Sequence, residues 1–133
     1  MRKFTLLPLA ALAACTASAG GQVEATPAEE AAFSAAIAGR TAGAPVACVR
    51  QRDLRNTRAA GPDTLLFDGP GGIVYVNRTK SSCPRIRPWH AILHRTSQTA
   101  MCTNELIRVF EPQSGIEFGG CTLGEFTPYR RGD

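Results

Sequence analysis

The chain of 133 residues contains no apolar run near the roughly 20 residues that a helix needs to span a bilayer. Histidine occurs twice, tryptophan once, and lysine only as Lys3 and Lys80. There is no C-x-x-C, so neither a zinc ribbon nor a thioredoxin-type redox motif is supported. G-x-S-x-G, H-E-x-x-H and a glycine-rich phosphate loop leading into a helix are missing as well. No nucleophile–base constellation stands out, so no catalytic residue is assigned and neither a cofactor nor a metal is expected. Charged residues make up 20% of the chain and hydrophobic residues 44%, which excludes a disordered polyelectrolyte. The length suits one domain and excludes two.

What is present begins at the N-terminus. Arg2 and Lys3 form a basic start, and residues 4–14 are apolar or small apart from Thr5. That is the length of a signal-peptide core. Ala17-Ser18-Ala19 before Gly20 is an ordinary cleavage site, which makes residues 1–19 the signal peptide. Leu12-Ala13-Ala14-Cys15 resembles the bacterial lipobox, which would remove residues 1–14 and lipidate Cys15. Both readings export the protein to the periplasm, the second with an outer-membrane lipid anchor. Membrane association then runs only through a lipid on Cys15. Export also removes Arg2 and Lys3, leaving thirteen basic residues against eleven acidic, so the mature charge is +2 rather than +4.

Four cysteines remain: Cys48, Cys83, Cys102 and Cys121. An even number in a small exported chain reads as two disulfides. Of the three connectivities, the nested one is favoured, with Cys83–Cys102 inside Cys48–Cys121. Cys48–Cys83 with Cys102–Cys121 is the serious rival. The outer bridge of the nested pattern would clamp the first and last elements, and the inner one would pin the middle loop.

Residues 20–26 are small and polar and suit a linker. A short helix over residues 27–39 follows: Thr26 caps it, Pro27 opens it, and Glu29 completes a capping box. Its apolar stripe is thin, with Phe33 and Ile37 one turn apart, so it must dock or fray. From Arg40 onward glycine, proline and asparagine recur every eight to twelve residues between short apolar runs. That spacing predicts a β-domain over residues 40–133. Candidate strands are 46–50, 64–68, 72–77, 91–95, 106–111 and 116–121. Gly69-Pro70-Gly71 joins the second and third as a hairpin, and the apolar residues on both faces of 72–77 make it a central strand. Residues 50–58 read as a helical turn anchored by Leu54. The fold class is therefore mainly β: a small disulfide-stapled barrel or compact sandwich behind one short N-terminal helix.

His90 and His94 stand four residues apart. On a helix they would share a face, but the segment reads as a strand entry, where they lie about 13 Å apart. They are expected as surface histidines rather than metal ligands. Nine arginines and lysines lie between Arg50 and Asn104, opposed only by Asp53, Asp63 and Asp68. Ion pairing accounts for Asp53 and Asp63. Arginine grips phosphate and carboxylate with a bidentate fork. Arg85, Arg87 and Trp89, with Arg78 and Lys80, form the candidate anionic-ligand patch, set against the plainer reading of a solvated arginine-rich surface. The closing Arg131-Gly132-Asp133 is too short a match to an integrin tripeptide to carry meaning.

One ordered set of pieces stands out: Val74-Tyr75-Val76-Asn77-Arg78, Ser82-Cys83-Pro84, Arg95-Thr96-Ser97, Cys102, Ile107-Arg108-Val109 and Cys121-Thr122-Leu123-Gly124. With Cys48 before an arginine-rich turn, Phe126 and Pro128-Tyr129, they cover about residues 46–129. Over that stretch the chain resembles a family of small exported proteobacterial proteins with a four-cysteine domain of unknown function. Arg85 stands where that family tends to have glycine, and residues 91–94 where it tends to have an aromatic strand. The resemblance implies export and the four-cysteine frame, and no activity.

The expected function is that of a non-enzymatic envelope protein that binds an anionic lipid or polysaccharide, or a partner protein; nucleic acid is not the expected partner. A small periplasmic hydrolase or transferase is the alternative. An enzyme needs a cleft of converging polar groups, and a buried His–Asp or His–Glu pair would favour it. A concavity lined by arginine and aromatics would favour binding. A large exposed apolar patch would mark a purely structural subunit.

Overall fold

Thr26 opens the first element. Its hydroxyl oxygen accepts from the Glu29 backbone N–H at 3.3 Å, and the Glu29 carboxylate accepts from the Thr26 N–H at 2.8 Å. This reciprocal pair satisfies two of the donors that a helix start leaves free. The computed structural model describes residues 23–83 and 86–132, and in it α1 runs Pro27–Ile37. The helix ends two residues short of the expected limit. Ala38 already has extended backbone, Gly39 takes φ 68°, and the Arg40 guanidinium donates to the Ala36 carbonyl at 2.9 Å. A side chain thus satisfies an end carbonyl that the helix cannot.

Ten strands follow among the described residues: β1 (Arg40–Ala42), β2 (Cys48–Arg50), β3 (Arg55–Ala59), β4 (Thr64–Asp68), β5 (Val74–Arg78), β6 (Ala91–Leu93), β7 (Ala100–Cys102), β8 (Leu106–Phe110), β9 (Glu117–Thr122) and β10 (Phe126–Arg131). They form a five-stranded sheet in the order β1-β10-β5-β4-β3, a three-stranded sheet β6-β8-β9, and the pair β2-β7. Every pairing is antiparallel.

The predicted hairpin is β4 and β5. Between them lies a 3-10 turn at Pro70–Gly72, where Gly71 and Gly72 take φ of 63° and 74°. Only glycine enters that region without strain. Strand β5 is central, as its two apolar faces predict, with β4 on one side and β10 on the other. One face of the hairpin carries Leu66, Val74 and Val76, and α1 covers it with Phe33, Ala36 and Ile37. The opposite face carries Leu65, Phe67 and Tyr75. These join Phe126 from β10 and meet Val49, Met101, Ile107, Val109 and Cys121 from the smaller sheets, and Leu123 just after β9. The result is a sandwich of open sheets with a helix on its outer face. The thin helix is held by burial against β4 and β5 rather than by its own propensity.

The disulfides pair neither as nested nor as sequential loops. Cys48 bonds Cys102 and Cys83 bonds Cys121, so the two loops interleave. The register of β2 against β7 sets Cys48 opposite Cys102, with Cα atoms 4.1 Å apart. Cys83 follows β5 in a loop pinned by its N–H to the Pro62 carbonyl at 2.8 Å. That loop reaches Cys121, which faces the core from β9. No bridge clamps the first and last elements.

The reading of 50–58 as a helical turn is half corrected. A 3-10 turn occupies Gln51–Asp53, but Arg55–Ala59 is the edge strand β3, bulged where Asn56 has φ 30°. An edge strand tolerates the outward charges that made the segment read as non-strand. Strand β2 starts at Cys48, two residues later than expected, with Val46 held by an isolated bridge to Phe126. Strands β1, β7 and β10 are additions to the expected set.

Candidate anion-binding groove and buried histidine

Strand β5 ends in Arg78, whose side chain lies on the α1 side of the sheet because Arg78 pairs with Thr64. Its guanidinium donates to the Thr64 hydroxyl at 2.6 Å, stands 3.6 Å from Asp63, and lies 5.1 Å over the Phe33 ring. Arg78 is more than half exposed and Asp63 about half, so this ion pair is weak and competes with solvent. Two residues on, Lys80 donates its N–H to the Thr122 carbonyl, and its ammonium reaches the Asn104 side-chain oxygen.

Arg78 and Lys80 line one shallow groove of about 460 Å³ with Pro45, Thr103, Gly124, Glu125 and Thr127. Arg78 and Lys80 border it with a single acidic residue, Glu125, although the Arg78 guanidinium itself turns to Thr64, Asp63 and Phe33 and the Lys80 ammonium to Asn104. Arg78 also borders a larger groove of about 640 Å³ beside α1, with Phe33. That one carries Glu24, Glu30 and Asp63, so its balance is acidic. An arginine and an aromatic do meet in it, but the surrounding charge is wrong for an anion.

Gly124, on the wall of the smaller groove, is held in place by Asn77. The Asn77 amide donates to the Gly124 carbonyl at 2.9 Å, and its oxygen accepts from the Gly124 N–H at 3.0 Å. Asn77 is fully buried. This two-way bond ties β5 to the segment before β10 across 47 positions. A side chain at Gly124 would run into the Arg78 carbonyl oxygen.

The remaining patch residues lie elsewhere. Ile86 is buried, whereas Arg87 and Trp89 are exposed in the turn that follows it. Neither borders the Arg78–Lys80 groove. Arg85 lies outside the described residues, as do Cys15 and the whole of 1–22. Asp53 pairs with Arg50 at 3.0 Å, as its neighbourhood predicts. Among the described residues, no helix is long and apolar enough to cross a membrane.

His94 is not a surface histidine. Its side chain is only 5% exposed, and Nε2 stands 2.9 Å from the Glu105 carboxylate. Nδ1 lies 2.9 Å from the Gln51 amide nitrogen. An amide donor at Nδ1 leaves the ring proton on Nε2, where it meets the carboxylate. The same Glu105 oxygen accepts from the Cys102 N–H at 2.6 Å. Three separate elements are thereby joined: the end of β6, the turn after β7 and the 3-10 turn at Gln51–Asp53. Both ring nitrogens are committed to these partners, and the adjoining groove of about 260 Å³ is lined by Leu54, Phe67, Ile92 and Met101 together with Gln51, Thr57 and His94 itself. His90 takes a different course, stacking on Phe118 with centroids 4.8 Å apart.

No family model matches the chain, and neither a curated protein nor a solved structure matches it.

Glu105, Gln51 and Asn77 are the residues that sequence reasoning missed. Gln51 and His94 are 43 positions apart, and nothing in the spacing of a glutamine, a histidine and a glutamate marks them as neighbours. The only usable signal was compositional: an asparagine in an otherwise apolar strand, Val74-Tyr75-Val76-Asn77, is a polar group that needs a partner if the strand is central.

Proposed function

We propose that this chain is an exported envelope protein without enzymatic activity. A lipid on Cys15 holds it to the outer membrane, and the stapled sandwich binds an anionic envelope component. Two disulfides in so small a domain are in keeping with an oxidising compartment. The observation that carries the binding reading is the groove bordered by Arg78 and Lys80 with Glu125 as its one acidic residue, beside a Gly124 backbone held by Asn77. Arginine supplies planar paired donors and lysine a point charge, which together suit phosphate or carboxylate groups.

The test is an amide NMR titration of the full chain carrying Cys15→Ser, with inorganic phosphate and then with an acidic polysaccharide. Shifts are expected at residues 78–80, 103 and 124–127, and Lys80→Glu should abolish them. Absence of shifts at low salt, with millimolar phosphate and with the polysaccharide alike, rejects the groove.

The His94–Glu105 pair favours a second reading, a small periplasmic hydrolase. It lacks a nucleophile: the Nδ1 position that would face a hydroxyl or thiol faces the Gln51 amide instead. Turnover of ester or phosphodiester substrates that His94→Gln abolishes would establish that reading over the first.

A further inference from the structure

Trp89 is the largest of the exposed apolar side chains and is 65% exposed. Its presentation is not that of a loose loop. The His90 N–H bonds the Arg87 carbonyl at 2.9 Å, closing a four-residue turn with Pro88 in its second position. On one side Ile86 anchors the turn in the core at 1% exposure. On the other, the His90 ring stacks on Phe118 of β9 and meets the Trp89 indole edge-on at 5.7 Å. A proline-stiffened turn therefore holds the indole outward between two fixed points. Arg87 is exposed beside it, and one of its guanidinium nitrogens donates to the Ile86 carbonyl at 3.0 Å.

We infer that the turn of residues 87–90 is a contact with an anionic lipid surface, in which the Trp89 indole enters the bilayer interface and Arg87 pairs with a lipid phosphate. The shape selects this occupant. A small ligand needs a concavity, and Trp89 borders none of the grooves described above. A projecting amphipathic ring beside a guanidinium suits a planar, yielding partner with an apolar layer under a charged one. One indole and one arginine bind weakly alone, but a tether to the same membrane raises their effective concentration. The contact would turn the sandwich to a fixed side against the bilayer. It is separate from the Arg78–Lys80 groove and does not require it.

Because the chain has one tryptophan, its emission reports on this turn alone. The experiment uses the mature chain from Gly20 onward, which carries neither a lipid on Cys15 nor the apolar residues 4–14, and vesicles of phosphatidylcholine with and without phosphatidylglycerol. The expected result is a blue shift, with quenching by brominated acyl chains, on phosphatidylglycerol vesicles at low salt. Added salt should weaken it. In vesicle co-sedimentation, Trp89→Ala should lower partitioning about tenfold and Arg87→Gln about fivefold. Lys80→Glu should leave the tryptophan shift in place, which separates this contact from the groove. Unmoved emission with lipid in excess overturns the inference. So does an equal shift on neutral vesicles, or a shift produced by a soluble acidic polysaccharide and not by vesicles.

Discussion

Replacing Cys83 and Cys121 together by alanine removes the bridge between the loop after β5 and the core-facing residue of β9. The loop it closes spans 38 positions, and the loop closed by Cys48–Cys102 spans 54. In the chain-entropy picture, closing loops of these lengths stabilises the domain by about 4 kcal/mol each. The two interleave, so the first bridge already shortens the loop closed by the second and their sum is an upper bound. A loss of about 4 kcal/mol is a large part of the 5–15 kcal/mol typical of a domain, and corresponds to a fall in melting temperature on the order of 20 °C. The assay is thermal and urea unfolding of wild type, of wild type with reductant, and of the double variant. Loop lengths give nearly the same total for the nested pairing, so stability alone does not separate the two connectivities. Tryptic cleavage does. It places each cysteine in its own peptide: residues 41–50, 81–85, 96–108 and 109–130. Without reductant, 41–50 should run with 96–108, and 81–85 with 109–130. Linkage of 81–85 to 96–108, or a melting temperature that reductant does not move, refutes the reasoning.

Asn77→Ala removes both bonds to Gly124 and leaves that buried backbone without partners, at a cost of about 2–3 kcal/mol measurable by urea unfolding. Gly124→Ala should destabilise as well, because its side chain meets the fixed Arg78 carbonyl; an unchanged midpoint would show that the segment shifts freely. Thr26→Ala removes the cap of α1 and should cost about 1 kcal/mol, with amide exchange rising in residues 27–37 and not in the sheets. Intact mass of the mature protein should show an acylated N-terminal Cys15 and a gain of four hydrogens on reduction; a chain starting at Gly20 without lipid rejects the anchor.

The legible parts of this fold are those set by neighbours in sequence. Thr26, Pro27 and Glu29 announce a helix start because capping acts within one turn. Gly69-Pro70-Gly71 announces a hairpin because the backbone there must enter a region that glycine allows. The apolar residues on both faces of β5 announce a strand covered on both sides. Arg55 to Arg58, by contrast, carried the charge of a surface segment, and only its place at the sheet edge made it a strand. The candidate site was less legible. Arg78 and Lys80 do share a groove, but Arg87 and Trp89 point into a different feature, and the buried His94 was expected on the surface. Each of these outcomes depends on which strand lies next to which.

From its order of residues alone, this protein is determined to be a mainly β domain behind a short capped helix, with four cysteines positioned for two bridges. Those properties follow from dihedral preferences, caps and alternation, which are settled over a few residues. Which cysteines pair, which face of the hairpin the helix covers, and which carboxylate meets His94 were decided by tertiary structure. Loop-closure entropy changes slowly with length, so the alternative pairings cost nearly the same. The choice falls instead to strand register, which sets Cys48 against Cys102 and carries Cys121 inward to Cys83.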